Sequence, residues 1–127
     1  MVRTMANVFG VVFLLVGILG FVPGITTDGH LLGIFHVNTA HNVVHILSGL
    51  AALIAANASE RAALNYFRIF GAIYALVAIL GFVAGGNAPV LGIIANNPAD
   101  NWLHAAIAAV ALVLGFAPQK TRAEAQV

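Results

Sequence analysis

FGVVFLLVGILGFVPG, residues 9–24, returns as FGAIYALVAILGFVAG, residues 70–85, with ten of sixteen positions identical. Neither stretch carries a charge. Each is followed by a second segment that also repeats: LGIFHVNTAHNVVHILSGLAAL (32–53) and LGIIANNPADNWLHAAIAAVAL (91–112) agree at nine of twenty-two positions without a gap. A long apolar stretch, a connection and a second apolar stretch together read as a helical hairpin, and the chain holds two of them in tandem.

Composition sets the solvent. Of 127 residues, 61% are hydrophobic and 7% charged, where an ordinary soluble domain carries about a quarter charged residues. A single membrane domain spanning 1–127 follows, with the bilayer as its first partner. The absence of cysteine excludes disulfides, thiolate metal sites and cysteine nucleophiles. A formal net charge of +1 argues against a nucleic-acid partner. No enzyme is read from the chain and no catalytic residue is assigned, because Ser48, the nearest nucleophile to the histidines, lies off their helical face and has no oxyanion motif beside it.

Four stretches are long enough to cross a bilayer at 1.5 Å rise per residue: 5–22, 39–56, 62–84 and 98–117. Repeat 1 then covers about 5–56 and repeat 2 about 62–117, leaving 118–127 as a tail. Arg3, Arg61, Arg68, Lys120 and Arg122 fall at the N-terminus, the middle connection or the C-terminus, or just inside a helix end, where Arg68 can snorkel outward, whereas 23–38 and 85–97 hold no Lys or Arg. The positive-inside rule therefore places both termini and the tail in the cytoplasm, with the two long connections outside. The expected fold is an all-α integral membrane four-helix bundle in which two hairpins of the same sidedness stand side by side, and the expected location is a bacterial inner membrane.

Agreement between the copies is not scattered. In the even-numbered helices Asn38/Asn97, Asn42/Asn101, His45/His104, Gly49/Ala108 and Ala52/Ala111 are spaced 4, 3, 4, 3, which is one helix face. In the odd-numbered helices Gly10/Gly71, Phe13/Tyr74, Gly17/Ala78, Gly20/Gly81 and Gly24/Gly85 form a second face, rich in residues that let backbones approach. Both faces are expected to point into one core. Asn38 and Asn97 read as N-caps, with Pro98 at a first helical position. His45 and His104 then lie roughly 10 Å below the outer helix ends, across the core from one another. One turn above them His41 occupies the position of Asp100, so that His41–His45 and Asp100–His104 are i, i+4 pairs.

These motifs resemble a bacterial family of small four-helix membrane proteins described only as a domain of unknown function, whose signature is N-x-x-H-N-x-x-H-x-x-x-G after a first loop and D-N-x-x-H in the last helix. Asn38, His41, Asn42, His45 and Gly49 match the first part, and Asp100, Asn101 and His104 the second. The resemblance implies the fold and no activity.

Intramembrane Asn and His are costly and need partners. The first reading makes His45, His104, His41, Asp100, Asn42 and Asn101 a polar core that ties helices and loops together. The protein is then a structural or accessory subunit without a cofactor, docking with other membrane proteins or with itself. The alternative makes His41, His45, Asp100 and His104 ligands of a transition metal, or His45 and His104 axial ligands of a haem or another tetrapyrrole. Whether loop 23–38 covers the histidines is open, its HLLGIFHV stretch reading equally as a re-entrant segment or an interfacial loop.

Overall fold

The computed structural model describes residues 1–118; the stretch 119–127, with Lys120, Arg122 and nearly all of the expected tail, lies outside the described residues. Four helices carry the fold: α1 Val2–Leu19, α2 Thr39–Ala58, α3 Glu60–Val83 and α4 Pro98–Phe116. All four are long and apolar enough to cross a membrane.

Helix boundaries follow local chemistry. α1 starts three residues before the expected position, which brings Arg3 into the helix, and its last turn tightens as Phe21 N–H reaches Ile18 O at 3.0 Å and Val22 N–H reaches Leu19 O at 3.1 Å. Pro23 has no N–H to continue it. Ser59 separates α2 from α3 and caps α3 by accepting from Ala62 N–H at 3.0 Å. Two arginines cap neighbouring helices. Arg3 Nε donates to Ala56 O at 2.6 Å and Arg68 Nε to Gly115 O at 2.7 Å, so each meets carbonyls at the C-terminal end of a neighbouring helix. Arg68 also sits 5.2 Å above the Phe116 ring.

The first connection contains a feature that the all-helical expectation does not include. Three two-residue strands, β1 Thr26–Thr27, β2 His30–Leu31 and β3 Phe35–His36, form an antiparallel meander in the order β1-β2-β3. Its first turn is Asp28-Gly29, with both residues at positive φ (49° and 73°), the pattern a two-residue hairpin needs. The HLLGIFHV stretch supplies β2, β3 and the turn between them. The second turn, Leu32-Gly33 at φ 55° and 71°, recurs in the other connection as Leu91-Gly92 at 53° and 71°.

The broadest helix contacts are α1 against α2 and α3 against α4, with α2 meeting α3 more narrowly. Side-chain size explains the closeness. A Cβ on Gly49 would lie 2.8 Å from both Gly10 O and Leu14 N, so α1 and α2 cross backbone to backbone. Gly20 and Gly81 leave the space in which the amides of Asn42 and Asn101 pack. Toward the other end of the bundle the core is aromatic: Phe13 meets Phe70 edge-on at 5.2 Å and Tyr74 at 5.7 Å, while Phe9 meets Phe67 at 5.0 Å. The polar groups therefore sit above a plug of rings.

Candidate metal centre

His41 is the third residue of α2, and its N–H is held by the Asn38 side chain at 2.9 Å. That cap aims the imidazole into the bundle, where it is 2% exposed. Its Nδ1 lies 2.8 Å from Ala95 O and 3.1 Å from His36 O. Two carbonyls can only accept, so the proton resides on Nδ1 and the lone pair on Nε2. That Nε2 lies 3.2 Å from His45 Nε2, one helical turn deeper. His45 rests against Phe13, ring centroids 5.2 Å apart.

His104 comes from α4 on the facing side. Its ring is 5.7 Å from that of His41, 6.4 Å from that of His45, and edge-on to Tyr74 at 5.5 Å. Its Nδ1 is buried with no hydrogen-bond partner among the described residues. One ligand atom from each of His41, His45 and His104 lies within 4.8 Å of the other two. All three side chains are buried.

Asp100 does not join this triad. Its Oδ2 accepts from Asn97 N–H at 2.9 Å and His36 N–H at 3.1 Å, completing a capping box and tethering the first loop to α4. It remains near enough to interact electrostatically with His41. Asn42 and Asn101 turn toward Gly20 and Gly81, and Asn101 Nδ2 donates to Gly86 O at 3.5 Å. Asn38 and Asn97 each accept from the helix they begin and donate across the mouth, Asn38 to Ile93 O at 2.9 Å and Asn97 to Ile34 O at 2.8 Å. The two connections are thus laced together over the histidines. Loop 23–38 reaches His41 through the carbonyl of His36, and its Leu31 and Val37 are buried.

Two participants are absent from the sequence reading. One is the Ala95 carbonyl, which no side-chain pattern marks. The other is Asn96, 1% exposed, whose Nδ2 donates to Gly86 O at 3.2 Å while its Oδ1 is buried without a partner among the described residues. The Asn96-Asn97 doublet, set against Val37-Asn38 in the first copy, was the available sign. His30 stacks on His36, centroids 5.0 Å apart, outside the triad.

No curated protein and no solved structure matches this chain. The family described as a domain of unknown function, DUF4383, matches residues 3–117, nearly the full length described above. On that match the chain belongs to the DUF4383 family.

Proposed function

We propose that this protein is an integral membrane metal-binding protein, in which His41, His45 and His104 hold a zinc or copper ion beneath the outer mouth of a bundle made of two tandem hairpins. The observation that carries the reading is the triad: three buried imidazoles from two helices with ligand atoms within 4.8 Å of one another. The 3.2 Å separation of the His41 and His45 Nε2 atoms is close to the edge of about 3.3 Å that two nitrogens span in a tetrahedral site at 2.0–2.1 Å from zinc.

The supporting shell fits as well. A metal-bound histidine commonly donates its other N–H to a carbonyl, which fixes its tautomer, and His41 Nδ1 faces two. His104 Nδ1 is a buried nitrogen in want of a partner. Three neutral imidazoles suit a borderline-soft ion and leave a fourth position for a further ligand. Asp100, its Oδ2 held by the backbone N–H groups of Asn97 and His36, stands outside the triad.

A haem fits less well, because His41 stands 4.7 Å from His45 and 5.7 Å from His104, within the space a macrocycle would need. The accessory-subunit reading rests on apolar outer faces, and lipid covers those equally well. Positive-inside charge placement supports cytoplasmic termini.

Equilibrium dialysis of detergent-purified protein without a histidine tag, against zinc and then copper, tests the proposal. One ion per chain is expected, with loss in His45→Ala and in His104→Ala while helicity by circular dichroism is kept. Folded wild-type protein that retains no ion would overturn it.

A further inference from the structure

A cavity of about 270 Å³ opens on the flank of the bundle between α1 and α4. Val12 and Val16 of α1 form one wall, Leu103 and Ile107 of α4 the other, and Phe13 and His45 the inner end. No polar surface lines it. Its inner end is therefore a ring that also belongs to the metal triad.

Three features of the surroundings give this opening a purpose. The outer mouth is closed by the laced connections, through Asn38 to Ile93 O, Asn97 to Ile34 O, and His36 N–H to Asp100. The opposite direction is closed by the Phe9, Phe13, Phe67, Phe70 and Tyr74 rings. The matching seam between α2 and α3 also holds a crevice, but no histidine lines it and phenols bridge the helices behind it, with Tyr66 Oη donating to Ser48 O at 3.0 Å and Tyr74 Oη 3.4 Å from Ser48 Oγ. Across the α1–α4 seam the described residues make no such polar link. Val8 and Val12 at its lip are half exposed, on a face that lipid covers when the helices span the membrane.

We infer that the α1–α4 cavity is a lateral entrance through which an uncharged, apolar, ring-sized molecule passes from the bilayer to the His45 side of the metal centre. The inference rests on the metal-binding reading above. Size supports the ligand class: an apolar protein cavity of about 150 Å³ accommodates benzene, so 270 Å³ accommodates a molecule of about two fused rings. Lining supports it too, since a charged or strongly hydrogen-bonding ligand would lose its solvation here without recovering partners.

The test uses the full chain in lipid nanodiscs and 1-fluoronaphthalene as probe, followed by fluorine NMR with zinc-loaded and copper(II)-loaded protein. Saturable binding at one site per chain is expected, with the bound resonance broadened by paramagnetic copper and not by zinc. Ile107→Trp and Val12→Trp, which fill the cavity from opposite walls, should each abolish saturable binding while metal uptake persists. Ile73→Trp, in the α2–α3 crevice, should leave binding intact. Absence of saturable binding to metal-loaded wild type, binding that survives both cavity-filling variants, or a bound resonance that copper does not broaden would each overturn the inference. Failure to load any metal, seen before probe is added, would instead overturn the metal-binding reading on which it rests.

Discussion

Replacing Gly49 by alanine tests the helix crossing that supports the histidines. Gly49 lies one turn beyond His45 on the same buried face of α2. An added Cβ would stand 2.8 Å from Gly10 O and from Leu14 N, and 3.0 Å from Leu14 Cγ. The first two are backbone atoms of α1, which cannot rotate aside as a flexible side chain can. Overpacking a tight core costs about 1–3 kcal/mol, and contact with backbone places this site in the upper part of that range. Alanine regains roughly 1 kcal/mol of helix propensity, so the net loss is about 1–2 kcal/mol. At 1.4 kcal/mol per tenfold, this is roughly a 5- to 30-fold rise in the unfolding constant. When residues 32–53 are aligned with 91–112, Gly49 falls opposite Ala108, already a methyl and 4% exposed. Ala108→Gly should therefore also destabilise, by about 1–2 kcal/mol from lost propensity and one buried methyl. Reversible unfolding in mixed micelles, followed by circular dichroism, measures both. A Gly49→Ala protein as stable as wild type would refute the backbone-to-backbone crossing.

Other perturbations separate the roles of neighbouring groups. Asp100→Ala removes the acceptor for Asn97 and His36 N–H and should cost about 1–3 kcal/mol; dialysis should still find one ion per chain, bound about tenfold more weakly because an outer-shell charge is lost. Leu32→Asn and Leu91→Asn place a residue tolerant of positive φ where leucine stands at 55° and 53°, and each should raise stability by about 0.5–1 kcal/mol in the same unfolding assay. Arg68→Ala strips the cap from Gly115 O and the cation from Phe116, for a loss of about 1–2 kcal/mol that Arg68→Lys recovers only in part.

Sequence made the helices legible because apolar length and repeated small residues are properties of side chains. The same holds for residues that start two of them: Asn38 and Asn97 each accept from the third residue of their helix. The histidines were legible as a set, since His41, His45 and His104 fall on faces defined by a spacing of three and four. Two things were hidden for different reasons. The β-meander rests on two short turns, at Asp28-Gly29 and Leu32-Gly33, within a stretch whose apolar residues also fit an interfacial segment. The partner that fixes the tautomer of His41 is the carbonyl of Ala95, and a backbone oxygen has no residue identity to read. Asp100 reads from the sequence both as part of a polar core and as a ligand; its Oδ2 accepts from the backbone N–H groups of Asn97 and His36. Which polar groups converge depends on how loops fold over the bundle, and helical periodicity carries no information about that.

The most direct measurement is X-ray absorption at the metal edge of zinc-loaded, full-length protein. Three imidazole nitrogens at about 2.0–2.1 Å with one oxygen ligand completing the shell are expected, and the three-imidazole scattering pattern should be lost in His41→Ala. A shell dominated by oxygen, or a pattern that His41→Ala leaves unchanged, would contradict the claim that His41, His45 and His104 form the metal centre.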